Sequence, residues 1–141
     1  MIYTDNTKKA MKICFKLHKE QVDKSGLPYV LHPIHLAEQM TDENSCIVAL
    51  LHDTVEDTDY TIEEIRTEFG DEIADAITLL THESSVDYMD YVGKIKKNPL
   101  AAKVKIADLI HNSTLSRLNE ITEMDIKRVK KYEEAIKLLQ D

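Results

Sequence analysis

The sequence predicts an all-α, multi-helix domain, and three observations carry that reading. Apolar residues recur at three- and four-residue spacing along most of the chain. Almost no stretch alternates with period two. Only three glycines and three prolines punctuate 141 residues, fewer breaks than a turn-rich β architecture needs.

The elements follow in order. Asn6 to Gln21 carries Ala10, Ile13, Cys14 and Leu17 on one face and reads as a first amphipathic helix. In "DKSGLPYVLHP", Gly26, Pro28 and Pro33 break the pattern, so residues 23–33 read as a loop. Ile34 to Met40 is a short helix. Another begins at Asp42 or Glu43 and carries Ile47, Val48, Leu50 and Leu51 into "ALLHDTVEDT" at 49–58. Thr61 is an N-cap with Glu64 completing a capping box, and Gly70 ends that helix. Asp71 to Thr81 is helical, Ser84 and Ser85 mark a turn, and Val86 to Lys97 is helical again. Asn98-Pro99 is a break. Leu100 to Leu118 and Glu123 to Gln140 complete the set, the last with an apolar stripe of Ile126, Val129, Ala135, Ile136 and Leu139 that closes the core. Tyr88, Met89 and Tyr91 have the helical spacing of packing residues.

A chain of this length fits one domain, residues 1–141, with its own core. The net charge of −8 speaks against nucleic-acid binding, which needs a basic footprint. It leaves a phosphorylated small molecule open, because a bound metal and local lysines invert the field inside one cleft. No apolar run is long enough to span a membrane and no signal-peptide pattern opens the chain, so the expected location is cytoplasmic, with no membrane partner. Cys14 and Cys46 have no paired spacing and read as buried thiols. Oligomeric state is not written in the sequence.

The chemistry concentrates in "ALLHDTVEDT". Three apolar residues lead into His52 and the acids Asp53, Glu56 and Asp57. A solvated face spreads acids among lysines and a buried face excludes unpaired charge, so the stretch raises the question of a cation. His32 in "PYVLHP" and Asp108 in "VKIADLIHN" also stand in apolar frames. His32, His52, Asp53 and Asp108 form a mixed nitrogen and oxygen set suited to a divalent first-row metal. Four protein ligands leave positions free on a six-coordinate ion, the pattern of a catalytic site. Adjacent helical positions do not share a face, so His52 and Asp53 bracket the ion between their two directions. Glu56 and Asp57, each at i+4, then lie beside it, placed for general acid or base work. Singly, each residue has an ordinary structural explanation. It is the four together, with the acidic pair one turn on, that point to chemistry.

The order H…HD…D is similar to the signature of the HD-domain phosphohydrolases. Three longer stretches resemble the hydrolase domain of the RelA/SpoT alarmone enzymes and its small stand-alone relatives: "SGLPYVLHPIHLAEQM", "ALLHDTVEDTDYTIEEIRTEFGDEIADAITLLTH" and "NPLAAKVKIADLIHNSTLSRL". The likeness runs from about Met11 to Leu118. It implies an HD-type helical bundle with one Mn2+ per chain on His32, His52, Asp53 and Asp108. It assigns Glu56 and Asp57 to handling the attacking water, and Lys24, Ser25, Lys105 and Asn112 to the nucleotide pocket. It implies loss of the 3′-pyrophosphate from guanosine tetra- and pentaphosphate (ppGpp and pppGpp), as a hydrolase only, since the chain holds no synthetase domain. Two positions depart from the family pattern: Asp23 stands where an arginine precedes the lysine of the loop, and Leu109 where another arginine is usual. Arg117 is the candidate replacement for a lost phosphate contact. An HD hydrolase of another nucleotide, such as a monophosphate phosphatase, is the alternative. A non-enzymatic nucleotide-binding module is the third reading, opposed by the intact ligand set and acidic pair.

Overall fold

The computed structural model describes the whole chain, Met1 to Asp141, as an all-α bundle. The helices are α1 (Asp5–His18), α2 (Leu31–Glu38), α3 (Glu43–Leu51), α4 (Thr54–Asp57), α5 (Ile62–Phe69), α6 (Asp71–Leu80), α7 (Tyr88–Lys96), α8 (Pro99–Asn112) and α9 (Glu123–Gln140), with a 3-10 turn at Leu115–Arg117. No helix is long and apolar enough to cross a membrane.

α3 is the axis of the bundle. Every residue from Ser45 to Leu51 is buried, and α1, α2, α6 and α8 pack around it. A helix that is apolar all round belongs at a centre, where no face meets water. One cluster of 27 buried residues joins these helices to α7 and α9 and includes both free thiols, Cys14 and Cys46.

Helix starts follow the predicted chemistry. Thr61 and Glu64 form the reciprocal capping box, and Gly70 takes φ of 94°, which a side chain would strain. Thr122 and Asp125 form another box at the head of α9. Two prolines lie inside helices rather than ending them. Pro33 is in the first turn of α2 and Pro99 is the first residue of α8, positions whose backbone N–H has no helical partner to lose. His32 is therefore helical. α8 stops at Asn112, short of Leu118, because Arg117 folds back and donates to the His111 carbonyl at 2.9 Å. The stripe on α9 is shorter than its spacing implies: Ala135 and Leu139 are buried, but Ile126 is exposed.

The largest departure is at His52-Asp53. The expected continuous helix through Thr58 ends at Leu51 and restarts as the single turn α4. Two side chains cap the abandoned carbonyls of α3. His52 Nδ1 bonds the Ala49 carbonyl at 2.7 Å, and the Thr54 hydroxyl donates to the Leu51 carbonyl at 2.8 Å.

Candidate metal centre and substrate cleft

The break lets neighbours converge. In an unbroken helix His52 and Asp53 would diverge by about 100°. Here Asp53, with φ −104° and ψ 1°, turns its carboxylate back so that Oδ2 lies 3.1 Å from His52 Nε2. From α2, His32 brings its imidazole into the same place. The ligand atoms of His32, His52 and Asp53 all lie within 4.8 Å of one another. α8 adds Asp108, whose Oδ1 is 2.9 Å from His32 Nε2 and 3.5 Å from His52 Nε2. The four sequence-predicted ligands thus meet, from two helices and one helix break.

The centre demands positive charge. Burial opposes a charge on Asp53, but His52 and a hydrogen bond from Tyr29 hold its carboxyl down at about 2. Burial likewise opposes charge on Asp108. Lys105, His32 and His52 keep it well below the usual carboxylate range. Burial also works against a protonated His52, yet the two carboxylates raise its pKa well above the ordinary value. His52 Nε2 is buried between two carboxylates, 3.1 Å from Asp53 Oδ2 and 3.5 Å from Asp108 Oδ1. With Nδ1–H given to Ala49, a proton on Nε2 answers those anions, and a divalent metal can take that proton's place, since two imidazole and two carboxylate donors suit such an ion.

The surroundings fix each ligand. Tyr29 donates its hydroxyl to Asp53. His111 Nδ1 lies 2.7 Å from His32 Nδ1. Burial, Arg117 and the neighbouring imidazoles push the His111 pKa down to about 4, so it is neutral and free to accept the His32 proton. Asn112 donates to Asp108 at 3.0 Å and Lys105 at 2.9 Å. Lys105 is not a surface lysine: it is half-buried, over the face of Tyr91, and its charge balances Asp108. The sequence did not single out His111 or Tyr29 as supports. The signal was there for His111, three residues after Asp108 on the same helical face.

Glu56 and Asp57 stand at the exposed edge, with ligand atoms within 4.8 Å of each other and of Asp53. Glu56 is anchored by the His82 amide, which donates to Oε1 at 2.9 Å. Partial burial, then the Asp53 charge, raises both carboxyl pKa values; Asp57 adds to the shift on Glu56. Carboxylates at this edge, with their basicity raised in this way, are suited to taking a proton from water.

A cleft of about 290 Å³ opens beside the centre, lined among others by Lys24, Ser25, Tyr29, Asn112, Arg117 and Tyr132. Asp23 does not face it as a free acid. Its carboxylate accepts from the Ser25 amide, the Ser25 hydroxyl and the Leu27 amide, and pairs with Arg117 at 3.2 Å. These bonds tie a tight loop in which Gly26 takes φ of 80°. Leu109, the other departure, is 1% exposed and belongs to the core, so it takes nothing from the cleft.

Residues 10–106 match the HD domain family. Two curated relatives are similar over most of this chain. A probable GTP pyrophosphokinase of Mycobacterium leprae is 33% identical over 122 residues, covering 77% of this chain and 16% of the relative. A guanosine-3′,5′-bis(diphosphate) 3′-pyrophosphohydrolase of Aquifex aeolicus is 32% identical over 122 residues, covering 78% and 18%. The chain thus spans less than a fifth of the length of either. Among solved structures, a metazoan ortholog of SpoT, described as hydrolysing ppGpp, aligns with a TM-score of 0.79 over 99% of this chain and 88% of that one, at 22% identity, a likeness of fold. With His32 and Asp108 brought to the helix break at His52-Asp53 and the family match running from α1 into α8, the chain belongs to the HD domain family.

Proposed function

We propose that the protein is a metal-dependent phosphohydrolase that removes pyrophosphate from the 3′ position of guanosine 3′,5′-bis(diphosphate). One observation carries the reading: two imidazoles and two carboxylates converge in a buried cluster beside an exposed acidic pair. The regional similarity to enzymes named for this reaction supports the substrate. When bound by His32, His52, Asp53 and Asp108, a divalent ion supplies Lewis acidity toward phosphoryl oxygen and acidifies water. Mn2+ suits two imidazoles and two carboxylates.

The chain's own residues do the rest. Asn112 and Lys105 hold Asp108, and Tyr29 holds Asp53, so the ligands are set before substrate arrives. Glu56, fixed by the His82 amide, or Asp57 accepts a proton from the attacking water. The water oxygen bonds to the 3′-phosphorus, the bond from that phosphorus to O3′ breaks, and a proton goes to O3′, giving GDP and pyrophosphate. Lys24 and Arg117 line the cleft where the nucleotide's charge lies.

Asp23 favours a second reading, another phosphorylated nucleotide as substrate, because its loop lacks an arginine to stack on a base. A panel of phosphorylated nucleosides separates the two. The first test is release of pyrophosphate and GDP from guanosine tetraphosphate with Mn2+, run beside Asp53→Ala. The expected result is release that needs both metal and Asp53. Full turnover by metal-free Asp53→Ala protein would sink the assignment of the centre.

A further inference from the structure

The two acids at the edge of the centre are held unequally. The Glu56 carboxylate accepts a hydrogen bond from the main-chain amide of His82 at 2.9 Å, across 26 residues of sequence. Asp57 takes its contact with Gln21 through the backbone carbonyl, and no protein donor reaches its carboxylate. The aim of one amide therefore sets where the Glu56 carboxylate lies.

His82 stands just past the end of α6, and the chain around it holds that aim. At Thr81 the backbone turns extended, with φ −83° and ψ 110°, which frees the next amide from the helix. Residues 83–85 are exposed, and one backbone bond closes the turn, from the Val86 amide to the Glu83 carbonyl at 3.0 Å. The His82 ring adds a second tie: Nε2 donates to the Val86 carbonyl at 2.8 Å. The ring packs against Tyr91, with centres 4.5 Å apart, and edge-on to Tyr88 at 5.8 Å. Tyr91 is itself pinned, because its hydroxyl donates to the Leu80 carbonyl at 2.5 Å. A strapped ring on a pinned tyrosine leaves the turn little freedom.

The ring does not reach the substrate cleft. With Thr78, Val86, Tyr91 and Lys94 it lines a separate cavity of about 200 Å³, which shares no residue with the cleft. Nor is His82 among the residues gathered at the metal centre. A change to the ring reaches the chemistry only through Glu56.

We propose that His82 is a positioning residue: its ring, strapped to Val86 and packed on Tyr91, aims its own amide at Glu56 and so fixes the carboxylate beside the attacking water. The inference rests on the proposed hydrolase reading and deepens it, adding a residue that touches neither metal nor nucleotide. An amide cannot be removed by substitution, but it can be misaimed, and a misplaced base loses rate without losing substrate.

Two measurements test it. Both use wild type, His82→Ala, which removes the strap, and His82→Gln, whose side-chain N–H can still reach the Val86 carbonyl. First, amide hydrogen exchange is followed in the metal-free proteins. Protection of the amide at position 82 is expected to fall about tenfold in His82→Ala and to recover in His82→Gln. Equal protection in all three proteins overturns the strap. Second, turnover of guanosine tetraphosphate with Mn2+ is compared in the same proteins and in the Glu56→Gln background. His82→Ala is expected to lower kcat about tenfold, with KM and metal affinity within about twofold of wild type and most of the rate restored in His82→Gln. In the Glu56→Gln background it should cost nothing further, because the group it acts through is gone. An equal loss in both backgrounds, or a loss shared by kcat, KM and metal affinity, means that the turn only supports the fold and overturns the positioning role. If wild type does not hydrolyse the nucleotide while protection at position 82 still falls in His82→Ala and returns in His82→Gln, the anchor of Glu56 holds and the substrate assignment fails.

Discussion

The substrate cleft joins two unlike regions. At the inner end, Asp53, Asp108, His32 and His52 are packed among helices, and His32, His52 and Asp108 are each no more than 5% exposed. The polar groups there have protein partners: Lys105 for Asp108, Tyr29 for Asp53, His111 for His32. His52 Nε2 lies between the Asp53 and Asp108 carboxylates, at the point where the donor atoms converge. At the outer end, Lys24, Lys127 and Lys131 line an adjoining groove and reach solvent without ion-pair partners. The difference follows from solvation. A buried charge is costly unless paired, so the inner region must be built in advance and tolerates little change. An exposed cation is hydrated and screened, so the outer region can be altered with graded effects.

Removing a charge from the inner end should produce the largest losses. Asp53→Ala is expected to abolish metal binding by calorimetry and turnover together, since it removes a ligand and leaves His52 facing one carboxylate. Retained stoichiometric metal would move the centre elsewhere. Glu56→Gln preserves shape and the His82 contact but removes the base. It should keep the metal and lower kcat by about 10²–10⁴-fold, the usual range for general acid–base catalysis. Asp57 sharing the role would leave a smaller loss, and Glu56→Gln/Asp57→Asn would reveal it. Tyr29→Phe deletes only a hydrogen bond to a ligand, and a loss of about 10–100-fold in metal affinity is expected. An unchanged affinity would show that packing alone holds Asp53.

The inner region was the more legible in sequence. Histidines and aspartates inside apolar frames are conspicuous because burial normally excludes them, and His32, His52, Asp53 and Asp108 do converge. The helix break at His52-Asp53 was not legible. An apolar run followed by acids satisfies helical periodicity, and nothing in the spacing says that His52 and Thr54 will cap α3 with their side chains. The resemblance put Lys105 in the pocket, but its ion pair with Asp108 and its place over the ring of Tyr91, which comes from another helix, were not legible. Asp23 looked like a lost cation, yet its hydrogen bonds to Ser25 and Leu27 organise the loop, and Arg117, from beyond the end of α8, restores positive charge beside it. The outer groove escaped sequence reading because its cations come from segments a hundred residues apart.

The smallest expected effect concerns how that groove is held. α9 begins with a capping box in which Asp125 Oδ2 accepts from the Thr122 amide and hydroxyl, both at 2.9 Å, while Oδ1 accepts from Arg128. The Thr122 hydrogen bonds, then Arg128, lower the Asp125 pKa from 3.8 to about 2. A carboxyl depressed in the folded state stabilises it above the unfolded pKa, and that contribution disappears as pH falls through the folded value. The ionised cap therefore contributes fully above about pH 4 and is gone below about pH 2. Asp125→Asn should lower Tm modestly at neutral pH, and the gap to wild type should close as pH falls from 4 to 2. A gap that stays constant over that window would mean that the carboxylate charge is not what fixes Arg128 and the start of α9.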